Sequence, residues 1–132
     1  MKVIAIDYGA ARTGVAISDA TGTLARPLTV VERAASDAGL RELAALVSAE
    51  GAERIVVGLP LTLRGQRGAQ AEETERFVER LRAATELPIE SFDERFTTAL
   101  AAGSDTRAPE DAVAAAHLLS SYLQWKASSR RA

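Results

Sequence analysis

The chain has 132 residues, of which 47% are hydrophobic and 26% charged, and its formal net charge is −2. This composition supports one soluble core, and the absence of cysteine excludes disulfides and thiolate metal sites. No apolar run approaches the roughly 20 residues of a membrane span, and Met1-Lys2 leads into an apolar strand instead of a signal peptide. We therefore expect a cytoplasmic protein without membrane contact.

Hydrophobic periodicity predicts three hairpin-linked strands, then alternating helices and strands. The predicted strands cover residues 2–8, 14–18, 24–32, 54–58 and 88–92. The predicted helices run from Ser36-Asp37 to a stop at Gly51, over residues 69–84, after a cap at Thr97-Thr98, and from Pro109 to about Lys126. Pro27 confines part of the third strand to a sheet edge. The order predicts an α/β fold with a mixed five-stranded sheet, three strands antiparallel and two parallel, and helices on both faces.

The first strand ends in a single carboxylate, Asp7, after the apolar run Val3-Ile4-Ala5-Ile6. Side chains alternate along a strand, so Asp7 shares a face with Val3 and Ala5. A charge at the end of a buried strand is costly unless something compensates it. Alternatively, Asp7 bonds the turn amides of the first hairpin.

Two other acidic positions are candidates for the same site. Asp93-Glu94 follow the last strand, and Asp111 opens the last helix. The three-and-four spacing places Asp111 on an apolar helix face with Ala115, Leu118, Leu119 and Tyr122. Taken alone, Asp111 fits a first-turn carboxylate favoured by the helix dipole, and Asp93-Glu94 fit a solvated strand end paired with Arg95.

Three carboxylates from distant segments nevertheless predict a shared cation, provided that they converge. Hard ions such as Mg²⁺ and Mn²⁺ prefer oxygen ligands. Two such ions about 4 Å apart can activate a water molecule and stabilise the departing oxygen of a phosphodiester. The pattern therefore favours phosphate-ester chemistry.

These residues lie in motifs of a known family. The motifs are Ala5-Ile6-Asp7-Tyr8-Gly9 with Arg12-Thr13-Gly14-Val15-Ala16, Val57-Gly58-Leu59-Pro60-Leu61, Asp93-Glu94-Arg95-Phe96-Thr97-Thr98, and Asp111-Ala112-Val113-Ala114-Ala115-Ala116. From Ala5 to about Leu123 the chain resembles the YqgF/RuvX family, described as Holliday junction resolvases and pre-16S rRNA nucleases with a ribonuclease H-like fold. The Gly-Leu-Pro and Asp-Glu-Arg motifs in this order are fairly specific, whereas the last motif alone is weak.

The resemblance implies a metal-dependent endonuclease acting on branched DNA or precursor rRNA, with two Mg²⁺ or Mn²⁺ ions. The family's catalytic, metal-binding acids map to Asp7, Glu94 and Asp111, with Asp93 as an alternative ligand. Residues 1–126 are then one ribonuclease H-like nuclease domain, and residues 127–132 a loose basic tail. Symmetric cleavage of a junction would require a homodimer, whereas RNA trimming would not.

The chain departs from the family pattern at two places. Thr62-Leu63-Arg64-Gly65 stands where the family often has Asn and later Asp-Gly, and Ala108-Pro109-Glu110 stands where a Lys commonly precedes the final Asp. The loop 101–108 is also short. These changes affect substrate handling and leave the three acids in place.

Five arginines near strand or helix ends are predicted to contact nucleic-acid phosphates. They are Arg12, Arg64, Arg67, Arg95 and Arg107. Solvated surface is the alternative for each, and the slight net acidity is untypical of a nucleic-acid binder. His117, the only histidine, is predicted to lie away from Asp111 and outside catalysis, and Tyr122 and Trp125 to anchor the last helix.

Two other functions fit parts of the sequence. One is a non-catalytic module that binds nucleic acid, which the altered loop permits. The other is an ATP-binding fragment of the actin and sugar-kinase fold, whose phosphate loop Asp7-Tyr8-Gly9 resembles. Those proteins close two domains around the nucleotide, and a chain of this length supplies one.

Overall fold

A computed structural model of the protein describes residues 1–97 and 108–130. The strands are β1 Val3–Asp7, β2 Arg12–Ser18, β3 Ala25–Glu32, β4 Arg54–Leu59 and β5 Ile89–Asp93. The helices are α1 Asp37–Glu50, α2 Ala69–Ala84 and α3 Glu110–Arg130, and a 3₁₀ turn, Glu94–Phe96, follows β5.

The five strands form one mixed sheet in the order β3-β2-β1-β4-β5. β1 pairs antiparallel with β2 and parallel with β4, and β5 extends the parallel half. β3 is the edge strand predicted from Pro27, and its register with β2 shifts between Val15 and Ala16, next to that proline. Because β1, β4 and β5 are parallel, their carboxyl ends meet at one edge of the sheet, where ligands bind in α/β folds.

Alternation along β1 divides the core between the two faces of the sheet. Ile4 and Ile6 pack with α1 and α2, on the face that also buries Leu43 and Phe77. Val3 and Ala5 face α3. Alanines on both sides of this second interface are fully buried, which lets α3 approach the strands closely. The predicted α/β fold with helices on both faces is confirmed.

Local signals set the ends of α1 as predicted. The Ser36 hydroxyl accepts a hydrogen bond from the Gly39 amide at 3.0 Å, and Gly51 ends the helix in the left-handed conformation, with a φ of 67°.

One prediction near a helix end differs from the structure. α3 continues to Arg130, so the loose tail predicted from residue 127 is wrong for residues 127–130, where no Gly or Pro interrupts the helix. Of the predicted cap at Thr97-Thr98, the structure describes Thr97, which ends the 3₁₀ turn that Asp93 begins. Thr98 and the helix predicted after it lie outside the described residues.

Candidate active site

Gly14 lies between Asp7 and the first turn of α3, which carries Asp111. Because it has no side chain, that turn can lie close to the end of β1. Asp7 lies opposite Gly14 in the β1–β2 pairing. A Cβ atom on Gly14 would lie 1.8 Å from the backbone carbonyl oxygen of Asp111. The first turn of α3 therefore packs directly on the β2 backbone, beside the end of β1, and this contact is possible only without a side chain at residue 14.

We expect Gly14→Ala to lower the free energy of unfolding by at least about 3 kcal/mol, because backbone atoms of α3 cannot yield as a side chain can. Urea unfolding measures the effect. Gly51→Ala is the matched control: a Cβ atom on Gly51 would have no neighbour within 4 Å, although the residue has a positive φ. That control should cost about 1 kcal/mol. Equal losses in the two variants would contradict the close approach of α3.

A second glycine creates the space for Glu94. Glu94 begins the 3₁₀ turn after β5, and its side chain lies over Gly58 of β4, where a Cβ would be 2.6 Å from Glu94 Oε1. The same Cβ would be 3.1 Å from Leu118 of α3. The carboxylate is thus held between the sheet and α3, on the face where Asp7 also lies.

The Asp7 and Glu94 carboxyl groups are hydrogen-bonded to each other. Burial raises the pKa of Glu94 to about 7, with further increases from the charge of Asp7 and from their hydrogen bond. Burial also raises the pKa of Asp7; the bond from Glu94 opposes that rise and the charge of Asp111 adds to it. Two half-buried acids therefore hold one proton between them near neutral pH.

Asp111 is close enough to influence Asp7 electrostatically, but its own carboxylate is paired with Arg12. Arg12 Nε lies 3.2 Å from Asp111 Oδ2, and the two side chains are 66% and 37% exposed. Within residues 1–97 and 108–130, no three His, Cys, Asp or Glu side chains form a closed metal-binding group. Asp7 and Glu94 are thus hydrogen-bonded to each other, whereas the carboxylate of Asp111 is paired with Arg12.

Asp93, the alternative ligand, is occupied elsewhere. Its Oδ2 lies 2.6 Å from Arg95 Nη2, and its Oδ1 accepts a hydrogen bond from the Arg95 amide at 2.9 Å. Arg95 accordingly lowers the pKa of Asp93. Asp93 starts the 3₁₀ turn, so the neighbouring acids Asp93 and Glu94 have separate roles.

Three of the predicted phosphate-binding arginines each have a different acidic partner. Arg12 pairs with Asp111, Arg95 with Asp93, and Arg67 with Glu75 at 2.6 Å. The Arg95 guanidinium also packs against Gly65, so the loop after β4 borders the acids. Arg64 is exposed on that loop, and Arg107 lies outside the described residues.

Cavities flank the two joined acids on both sides. One, of about 260 Å³, lies toward α2 and is lined by Tyr8, Gly9, Pro60, Gln70 and Glu73 together with Asp7 and Glu94. The other, of about 340 Å³, lies toward α3 and is lined by Thr97, Ala114, His117 and Leu118 with the same acids. Asp7 and Glu94 are therefore accessible from either side.

His117 and Thr97 line a cavity beside the two joined acids, where the sequence analysis did not place them. His117 was predicted to lie away from Asp111 and outside catalysis; it lines the cavity beside Asp7 and Glu94. Its spacing from Ala114 and Leu118, which line the same wall, was a usable signal once the position of Glu94 was known. The sequence contains no comparable spacing signal for Thr97. Its position beside the cavity depends on where the 3₁₀ turn ends.

Comparison with known proteins identifies the family. The family model for RuvX, described as Holliday junction resolvase, matches residues 1–125. The chain belongs to the RuvX family. The resemblance seen in the motifs is thereby confirmed, and with it the nuclease class, a hydrolase of phosphodiester bonds.

Relatives in this family cover nearly the whole chain. A protein of Chloroflexus aurantiacus is 40% identical over 136 residues, covering 96% of this chain and 89% of its own. One from Desulforudis audaxviator is 37% identical over 139 residues, covering 98% of this chain and 99% of its own. Each bears the name "Putative pre-16S rRNA nuclease".

Solved structures share the fold. RuvC of Thermus thermophilus, in complex with a Holliday junction substrate, superposes with a TM-score of 0.67 at 15% identity, covering 96% of each chain. A Fowlpox virus resolvase, also in complex with junction DNA, gives a TM-score of 0.53 at 11% identity, covering 96% of this chain and 99% of its own. These likenesses support the ribonuclease H-like fold.

Among the described residues, no helix is long and apolar enough to cross a membrane.

Proposed function

We propose that this RuvX-family protein is a divalent-metal-dependent endonuclease for structured nucleic acid, with Asp7, Glu94 and Asp111 as its metal-binding, catalytic acids. The shared proton of Asp7 and Glu94 carries the proposal. Without a compensating positive charge, two carboxylates this close both ionise only at a cost in repulsion, and a cation can replace the proton. A site with oxygen donors alone fits Mg²⁺ or Mn²⁺, in one or two copies.

The acids and the arginines of the site have different roles around the metal. When bound, a divalent cation supplies the Lewis acidity that activates water and stabilises the departing oxygen. Asp7 and Glu94 supply ligand oxygens from rigid strand ends, and Asp111 joins them once it leaves Arg12. Arg12, Arg64 and Arg95 border this edge and position phosphates, with Arg67 and Arg107 as further contacts.

Of the two substrates, precursor 16S rRNA is favoured by the name of relatives that align over nearly the whole chain. A four-way DNA junction is the alternative that the family description favours. Both acids and cavities lie within one copy of the chain, which suffices to trim RNA, whereas paired junction cuts require a homodimer. A nuclease for ribosome precursors acts in the cytoplasm.

The deciding experiment offers both substrates to the protein under the same conditions. A synthetic four-way junction and a precursor rRNA fragment are incubated with Mg²⁺ or Mn²⁺ at matched salt, because electrostatic binding depends on salt. We expect cleavage of the RNA at a defined position. Symmetric cleavage of the junction by a dimer, with the RNA intact, would reverse the substrate assignment.

The Arg12–Asp111 pair makes a separate prediction about metal binding. Arg12 is paired with the Asp111 carboxylate and therefore competes with the cation for it. We expect Arg12→Gln to bind Mn²⁺ about threefold more tightly, which is consistent with an exposed ion pair that contributes less than about 1 kcal/mol. The same variant should bind nucleic acid more weakly when metal is present, because a phosphate contact is lost. Calorimetry measures the metal and fluorescence anisotropy the nucleic acid.

Arg26→Gln is the matched control for Arg12→Gln, since Arg26 is a similarly exposed arginine on edge strand β3 with a Glu50 partner. It should change neither affinity. Weaker Mn²⁺ binding by Arg12→Gln would mean that Arg12 organises Asp111 for the metal instead of competing with it.

A non-catalytic nucleic-acid-binding module is the second candidate, which the altered loop Thr62-Leu63-Arg64-Gly65 permits. Such a module would bind precursor rRNA with no dependence on divalent ions and would leave it uncut. The ATP-binding fragment has less support, since the nuclease family matches residues 1–125.

A further inference from the structure

The cavity toward α3 has an uneven lining. Among the described residues, the acids Asp7 and Glu94 line this cavity together with Thr97, Ala114, His117 and Leu118. Its volume of about 340 Å³ is in the range of small-molecule sites. Away from the two acids, the described part of the wall offers an alanine and a leucine surface, one hydroxyl and one imidazole.

Two residues of this wall each carry a buried polar atom without a partner. Neither Thr97 Oγ1 nor His117 Nδ1 has a hydrogen bond within the part of the chain that the structure describes. A buried polar group without a partner destabilises the folded state, so native proteins rarely keep one unless it serves a purpose. Two such atoms around one cavity, next to a candidate active site, indicate a polar ligand.

We propose that this cavity binds the nucleoside adjoining the scissile phosphate, with Thr97 and His117 as its polar contacts and Ala114 and Leu118 as its apolar wall. The inference rests on the proposed nuclease function and adds a substrate subsite to it. His117, which the sequence analysis set aside, becomes a substrate-positioning residue.

Charge and chemistry both favour a nucleoside over a phosphate. In the absence of metal, a phosphate in the cavity would lie against Asp7 and Glu94, and the described lining contains no Lys or Arg to offset the repulsion. A sugar hydroxyl or a base edge can both donate and accept, which matches a threonine hydroxyl and an imidazole nitrogen. The ring faces of a nucleoside can cover the alanine and leucine surface.

The single histidine of the chain provides a direct readout. The ring signals of His117 are followed by NMR at one fixed pH, in a chelator so that no metal binds phosphate groups, while adenosine 5′-monophosphate or uridine 5′-monophosphate is added. Inorganic phosphate is the control ligand. We expect a saturable shift with either nucleotide and a much smaller one with phosphate. An equal response to phosphate alone would overturn the proposal.

Variants test the two polar contacts, with the Ala114 amide signal reporting nucleotide binding. His117→Leu and Thr97→Val should each weaken nucleotide binding about tenfold, the effect of one lost hydrogen bond to a group left unpaired. His117→Asn, which keeps a polar atom near the Nδ1 position, should retain most of the affinity. Thr29→Val, on the far edge strand β3, is the matched control and should leave it unchanged.

The outcomes separate this inference from the nuclease proposal. If His117→Leu binds nucleotide as well as the unaltered protein, the subsite is wrong even where RNA is cut. If nucleotides shift His117 as expected but neither RNA nor junction is cut, the subsite stands and the nuclease proposal fails.

Discussion

Asp7→Asn should abolish metal-dependent cleavage while leaving the protein folded. Asp7 is the acid that both other members of the site influence: it shares a proton with Glu94 and lies within the field of Asp111. Removing its charge weakens the attraction for a divalent cation and removes a ligand oxygen. We expect cleavage to fall at least about a thousandfold, which corresponds to about 4 kcal/mol of transition-state stabilisation.

Asp93→Asn is the matched control, because Asp93 precedes Glu94 in the chain but its own carboxylate is paired with Arg95. It should retain cleavage within a few-fold. Single-turnover cleavage of precursor rRNA in Mn²⁺ measures both variants, and Mn²⁺ calorimetry shows whether the loss follows metal binding. If Asp93→Asn were the inactive variant and Asp7→Asn the active one, the catalytic role assigned to Asp7 would belong to Asp93 instead.

Asp7→Asn should also stabilise the metal-free protein. Burial and mutual repulsion of the Asp7 and Glu94 carboxylates destabilise the folded protein. An amide at residue 7 removes part of this repulsion and can still form a hydrogen bond with Glu94. A gain of about 1 kcal/mol in the free energy of unfolding, with a loss of activity, is typical of a site that sacrifices stability for function.

The second large effect is the pH dependence of stability without metal. The pKa of Glu94 is about 7 in the folded protein, against an ordinary value of 4.5. Between these values the folded state binds more protons than the unfolded state, so stability falls as the pH rises through this window and is level above it. After solvent screening of a partly exposed group, we expect a loss of about 1–2 kcal/mol between pH 5 and pH 8.

Thermal and urea unfolding in a chelator, at steps between pH 5 and pH 8, measure this loss. Glu94→Gln should flatten the profile, and Mn²⁺ added at the upper end should restore stability, because the cation takes the place of the proton. The lowered pKa values of Asp19 and Asp93 act only in more acidic solution and do not affect this window. A metal-free protein equally stable at both ends would show that Glu94 ionises freely, against the shared-proton arrangement.

Much of the fold could be predicted from local patterns in the sequence. Strand alternation placed Asp7 on the face of Val3 and Ala5, and helical spacing placed Asp111 above Ala115 and Leu118; α3 packs on that face in the structure. Ser36 and Gly51 set the ends of α1, and Pro27 identified an edge strand. Each of these signals operates within a few residues, where backbone geometry and hydrogen bonding are decided locally.

The end of the last helix shows the limit of such signals. Residues 127–130 carry polar and small side chains without an apolar stripe, so their helical state follows from propagation of α3 and not from periodicity. Composition at a chain end alone does not distinguish a solvated helical turn from a loose tail.

The sequence by itself determined the elements, the faces on which the acids lie, and the family. Only the tertiary structure decided which side chains distant in the sequence meet: Glu94 with Asp7, Asp111 with Arg12, and His117 beside a cavity. Those pairings depend on how closely α3 approaches the sheet over Gly14 and Gly58. Coulomb and hydrogen-bond energies change within an ångström or two, a distance set by packing between segments far apart in the chain.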